Sequence, residues 1–122
     1  MIKIFSIGQV AKEVGLNIGA VRFYESRGLL EPAARDTHNN RLYTNHEIKW
    51  LIFIKCLRGT GMSVQEIKKY HDLVQLGTAT LPERIELIQN QKQKLLDEIE
   101  EKKSQLIHLD HKLEHYFRGE NY

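Results

Sequence analysis

The sequence predicts an all-α chain with one small β-hairpin, arranged as a compact front domain followed by a single long C-terminal helix. Three observations carry that reading. Capping-box signatures recur, in which a hydroxyl and a Glu or Gln three residues later satisfy orphan amides reciprocally: Ser6 with Gln9, Thr44 with Glu47, Ser63 with Glu66 and Thr80 with Glu83. Between Leu29 and Tyr43 the helical period lapses at Pro32 and the polar run 36–40, as expected of two short strands and a turn. From Thr80 onward a heptad repeat runs almost to the end of the chain.

Taken in order, the first helix starts after Ser6 and stops at Gly15, and a second runs from Ile18 to Arg27 with Asn17 as its N-cap. The third and fourth follow Thr44 and Ser63, with Gly61 and Gly77 placed where C-terminal caps belong. Phe5 with Val10, and Met62 with Ile67, read as hydrophobic staples across two of the helix starts. In the fifth helix, with Ile85 at position a, the a sites are Ile85, Lys92, Ile99, Leu106 and Leu113; the d sites are Leu81, Ile88, Leu95, Lys102, Leu109 and Tyr116. All but the two lysines are apolar or aromatic. At about 1.5 Å per residue, residues 81–117 span roughly 55 Å, too long a stripe for a core built from the first 75 residues to cover. A second copy is therefore expected. A parallel in-register pair sets Lys92 against Lys92 and Lys102 against Lys102. An antiparallel pair centred near Ile99 lays both stems on apolar surface instead, and is the expected arrangement.

Composition narrows the class. The 122 residues carry a net charge of +2 with 41% hydrophobic and 28% charged residues, which fits a folded domain and no spanning helix. The N-terminal stretch has no secretory-signal pattern, so a cytoplasmic location without membrane attachment is expected. The charge is unevenly divided. Residues 1–60 hold nine Lys and Arg against five Asp and Glu, a balance of +4, whereas residues 61–122 hold nine against eleven. The front is the part suited to a polyanion. A single cysteine, Cys56, excludes an intrachain disulfide and a multi-thiolate metal cage.

Residues 7–26 have the spacing of a helix-turn-helix. Val10, Ala11 and Val14 line the first helix, Gly15 makes the turn, Leu16 fills the corner, and Val21 with Tyr24 faces back to the core. Asn17, Ile18, Gly19, Arg22 and Phe23 are left on or beside the face that a DNA groove would meet. The hairpin beyond carries Arg35 and Arg41 near its ends, the pattern of a wing that grips phosphates. The run IGQVAKEVGLNIGAVRFYESRGLLEP, then RLY, then a helix and a long coiled coil, resembles the MerR family of transcription regulators over nearly the whole chain.

That resemblance implies a winged helix-turn-helix domain over residues 1–76, a linker at 77–79 and a dimerisation helix over 80–118 that forms an antiparallel coiled-coil dimer. It carries over Arg22 and Tyr24 as DNA contacts, Arg41 and Tyr43 as wing positions, and Glu25 as the partner in an internal ion pair. Two departures stand out: Phe23 where many members have Tyr, and Asn39-Asn40 in place of a Gly-aromatic pair. With small residues at Gly19 and Ala20, specificity should rest on phosphate positioning and DNA deformability more than on base contacts. The implied partners are double-stranded promoter DNA bearing an inverted repeat, a second copy of the chain, and RNA polymerase at a promoter that the regulator bends and untwists.

Cys56 lies in IKWLIFIKCLRGTGMS, a helix apolar on nearly every side. By itself that setting favours a small buried hydrophobe, and a place near a helix C-terminus works against a reactive thiolate. The same run is similar to that of the NmlR/AdhR subgroup of the family, which implies a cysteine sensor of aldehydes, nitrosative agents or other electrophiles. Other candidates are weaker. His108, His111 and His115 fall at solvent positions of the heptad, so no metal site is expected. Trp50 and Phe53 could line an aromatic drug pocket but fit a core better. No cofactor and no enzymatic activity are expected, since no nucleophile, base and oxyanion arrangement is visible. The alternatives are a small ligand or metal sensed at the dimer interface, and a coiled-coil module for protein interaction.

Overall fold

A computed structural model describes residues 2–122. The elements run β1 (Phe5–Ser6), α1 (Ile7–Val14), α2 (Ile18–Ser26), β2 (Ala34–Arg35), β3 (Arg41–Tyr43), α3 (Asn45–Gly59), α4 (Val64–Gln75), a 3-10 turn (Thr78–Thr80) and α5 (Leu81–Phe117). The chain divides into two compact units, one up to Arg84 and one from Ile85. Among the described residues, no helix is long and apolar enough to cross a membrane.

Three of the four capping boxes form, at Ser6, Thr44 and Ser63, and Asn17 Oδ1 accepts from the amide of Ala20 at 2.7 Å. The fourth does not serve as expected. Thr80 Oγ1 shares its one proton between the carbonyls of Leu73 and Gly77, at 2.6 and 2.8 Å, and accepts from Arg84 Nε. The expected linker is correspondingly a 3-10 turn that leads directly into α5.

The core of the first unit is built where the spacing places it. Val10, Val21, Leu29, Tyr43, Leu51, Ile54 and Ile67 are fully buried, and both staple pairs are buried too. Each such aliphatic contributes roughly 1.5–3 kcal/mol of transfer free energy. Trp50 is fastened from the side: its indole Nε1–H donates to the Leu29 carbonyl at 2.6 Å, and its ring stacks on Tyr70. The hairpin is present, and a strand not expected from the sequence joins it. β1 pairs antiparallel with β3, giving the sheet order β1-β3-β2 with Phe5 opposite Tyr43 and Ala34 opposite Leu42.

Helix α5 covers Leu81–Phe117, the bounds the heptad sets. Its seam side chains stand exposed in the single chain: Ile85, Ile99, Leu106, Leu109, Leu113 and Tyr116 among them, with Ile99 at 43%. Ile88 and Leu95 are half-buried.

Candidate nucleic-acid interface

The recognition unit is held by backbone chemistry at its corner. Gly15 ends α1 at φ 77°, in the left-handed region that costs a Cβ-bearing residue dearly. Its N–H and that of Leu16 close the turn onto the carbonyls of Lys12 and Ala11, at 3.3 and 2.9 Å. Ala11 and Val14 are buried, Leu16 is half-buried, and Val21 and Tyr24 point α2 inward. A cation from another helix completes the corner. Lys55 of α3 extends its ammonium Nζ to the carbonyls of Val14 at 3.2 Å and Gly15 at 3.5 Å, the negative end of α1. A Cβ on Gly15 would come within 2.9 Å of that nitrogen and displace the flexible lysine end from its carbonyls, while φ remains the constraint that demands glycine.

What α2 leaves outward matches the face read from the sequence. Asn17, Ile18, Gly19, Arg22 and Phe23 are exposed, and the guanidinium of Arg27 lies over the Phe23 ring at 5.3 Å. Beside this face runs an open groove lined by Phe23, Arg27, Val64, Gln65 and Lys68, which joins α2 to the first turns of α4. Arg27 and Lys68 were not among the residues singled out from sequence. They lie 41 positions apart, so nothing short of the fold brings them together. Lys68 also fills the space behind Gly28, with its Cε 3.0 Å from where a Cβ would stand.

The wing is locked to α2 by one carboxylate. Glu25 accepts from Arg41 Nε and from the Tyr43 hydroxyl, the latter at 2.5 Å, and its own side chain is only 10% exposed. The internal ion pair expected of Glu25 is therefore present. Burial first, and the neighbouring carboxylate second, raise the Tyr43 phenol far above its ordinary value, so it remains a donor. This corrects the expectation for Tyr43: wholly buried, with its hydroxyl engaged on Glu25, it is a post for the wing and offers DNA no surface. Tyr24 is buried as well, which serves its core role and leaves little of it outward. Arg41 keeps a third of its side chain in solvent. Arg35 is exposed and donates to the Asn39 carbonyl at 3.1 Å, and Asn39 takes the left-handed turn position at φ 62°. Asp36 Oδ1 accepts from the amides of His38 and Asn40, shaping the tip. Those bonds hold its carboxyl below the usual range, with the Asn40 amide the largest cause.

Cys56 departs from the burial its neighbours suggest: it is exposed. The buried face of α3 is Ile48, Leu51, Ile54 and Leu57, which puts Cys56 on the opposite face, one turn after Ile52, itself 51% exposed. The nearby cations have other partners, Lys55 on Val14 and Gly15 and Arg58 on the Met62 carbonyl at 2.9 Å. Among the described residues, no group of three or more His, Cys, Asp or Glu is placed to hold a metal ion.

Comparison with known proteins agrees with this geometry. Residues 5–73 match the MerR HTH family regulatory proteins, and residues 48–116 match the family described as MerR, DNA binding. An HTH-type transcriptional regulator of Haemophilus influenzae is 34% identical over 112 residues, covering 92% of this chain and 83% of its own. The HTH-type transcriptional regulator AdhR of Bacillus subtilis is 36% identical over 92 residues, covering 75% of this chain and 66% of its own. Among solved structures, HiNmlR, a MerR family regulator lacking the sensor domain, bound to promoter DNA, superposes with a TM-score of 0.85 at 33% identity, covering 95% of this chain and 92% of that one.

Proposed function

The chain belongs to the MerR family and is a DNA-binding transcription regulator, and from that premise we propose that it acts as a homodimer on an inverted repeat in promoter DNA. In this reading α2 enters the major groove through Asn17, Ile18 and Arg22, while Phe23 and Arg27 rest on the flanking backbone and Arg35 and Arg41 of the wing reach phosphates. Two copies joined by antiparallel α5 helices hold two such units at a set separation. Bending and untwisting the DNA between them realigns the promoter for RNA polymerase. The observation that carries the reading is the outward set on α2, backed by a wing locked to the same helix through Glu25.

The finer proposal concerns Cys56, whose exposure leaves its sulfur open to small electrophiles. Addition to an aldehyde forms a C–S bond as the carbonyl π pair moves to oxygen, which takes up the proton lost from the thiol. The product is a hemithioacetal. On a bare helix face that adduct meets nothing. Its effect therefore requires the second copy to lie beside the Ile52–Cys56 face, close enough that added bulk displaces it while the sulfur stays reachable from solvent. Binding of a labelled fragment from the chain's own upstream region, with and without formaldehyde or diamide, tests both levels. Steep salt dependence is expected, because phosphate contacts release counterions; a flat salt response would instead indicate a protein-interaction module. Cys56→Ser should bind the fragment as well as the native chain and fail to activate in vitro transcription on aldehyde treatment. A normal response from that variant would remove the sensor role.

A further inference from the structure

We propose that the chain holds a second ligand site, independent of the thiol: a cavity at the root of the wing that takes a small aromatic ammonium cation. The cavity has a volume of about 270 Å³ and lies wholly within the first unit. That is just below the usual range of ligand pockets and suits a molecule of no more than roughly ten non-hydrogen atoms. Three segments meet there: residues 30–33 leading into β2, the first turns of α3, and the last turns of α4.

The wall chemistry selects the occupant. Leu30, Pro32, Ala33, Trp50 and Val74 supply apolar and aromatic surface, a lining compatible with an aromatic ligand. The charged groups on the wall are two carboxylates, Glu31 and Glu47, and no Lys or Arg lines the space. Glu47 already accepts from the Thr44 amide and hydroxyl in the capping box, which meets part of its need. Glu31 has no ion-pair partner among the described residues, and its electrostatic neighbour is the imidazole of His71. Burial, with Lys68 adding to it, holds that imidazole below its ordinary value, so it supplies no compensating charge at neutral pH. An anion would therefore meet two carboxylates and no Lys or Arg, whereas a cation would meet charge of the opposite sign.

The position gives occupancy a consequence. Ala33, itself part of the wall, donates its N–H to the Leu42 carbonyl at 2.9 Å, tying the wall to the hairpin. A bound cation would stiffen that root. This regulatory consequence rests on the DNA-binding reading, whereas the site itself does not.

The chain contains one tryptophan, and it lines the cavity, so emission from Trp50 reports binding directly. Phenyltrimethylammonium is the probe, with benzyl alcohol and benzoate as neutral and anionic controls. The expected result is a saturable change in emission at submillimolar cation, at least fivefold weaker in Glu31→Gln and absent with benzoate. Glu31 is exposed, so that variant should fold, and its far-UV circular dichroism verifies this. A linear, unsaturable response to the cation, equal binding by Glu31→Gln, or equal binding of benzoate overturns the site. Promoter-fragment binding by the same samples keeps the two ideas apart. A flat emission titration with intact DNA binding refutes the cavity alone, and a saturable titration without DNA binding supports the cavity while refuting the DNA-binding reading.

Discussion

Replacing Glu25 by Gln tests whether the wing is held by one carboxylate. The substitution keeps shape and one acceptor oxygen but removes the charge, and it turns an amide NH2 toward one of two donors, Arg41 Nε or the Tyr43 hydroxyl. Charge-assisted hydrogen bonds contribute roughly 1.5–3 kcal/mol each, and a buried donor left unmatched costs about 1–3 kcal/mol. The tyrosine is wholly buried and cannot turn to water, whereas Arg41 is a third exposed and recovers part of its loss by hydration. The expected net loss is therefore about 2 kcal/mol in urea unfolding followed by circular dichroism, a fall in Tm on the order of 10 °C. Because the contact joins α2 to β3, promoter-fragment affinity should fall about tenfold as the wing loses its register to the recognition helix. Tyr43→Phe combined with Glu25→Gln completes a double-mutant cycle with an expected coupling of at least about 1 kcal/mol. A loss below about 0.5 kcal/mol for Glu25→Gln, with affinity unchanged, would refute the claim that this carboxylate holds the wing.

Three further outcomes follow from other parts of the molecule. Lys55→Met should lower stability by roughly 0.5–1 kcal/mol and weaken promoter binding several-fold without changing its salt slope, while Lys55→Arg should largely rescue it; a reduced slope would make Lys55 a phosphate contact instead of a cap. Ile99→Asp should convert the proposed dimer to monomer in sedimentation equilibrium, and in a Cys56→Ser background cysteines at 85 and 113 should cross-link to each other, an efficient 85-to-85 product being the contrary result. His71 is lowered from its ordinary value of 6.5 chiefly by burial, so the unfolded chain binds its proton first as pH falls. Its contribution is complete above that value and is lost between it and the depressed folded value. Urea midpoints should therefore drop from pH 7.5 to 5 more in the native chain than in His71→Gln, and equal drops would contradict the burial of a neutral imidazole.

How much of this was legible in the sequence depended on whether the signal was local. Ser6, Thr44 and Ser63 announce helix starts because hydroxyl and acceptor sit within one turn, and Asn17 does the same for α2. Thr80 has the same local pattern, yet its hydroxyl goes to Leu73 and Gly77, because the turn after α4 brings those carbonyls within reach first. Strand β1 is two residues long and carries no period, so Phe5 was readable as a staple and not as the partner of Tyr43. Tyr43 enters as a wing position through the family resemblance alone, and its role as a post depends on Glu25, eighteen positions earlier, which no local pattern ties to it. Arg27, Lys68 and Lys55 act across elements and leave no trace in spacing.

Helix α3 shows where pattern reading fails in an informative way. Its apolar residues occur on every side, so the sequence could not say which face the first unit covers, and Cys56 read as buried. The structure covers Ile48, Leu51, Ile54 and Leu57 and leaves Ile52 and Cys56 bare. A helix that is hydrophobic all round is ordinarily buried all round. The uncovered face carries Ile52 and Cys56 among exposed Lys49, Lys55 and Arg58, a mixed surface unlike the continuous apolar seam of α5. In the proposed dimer a second copy would cover the α5 seam, and if it also lies beside Cys56, modification of the thiol would be felt between chains and not within a core. Lys55, adjacent to Cys56 on the same helix, reaches the carbonyls that close α1. A shift of α3 under the partner would then reach the turn that aims the recognition helix through a single side chain.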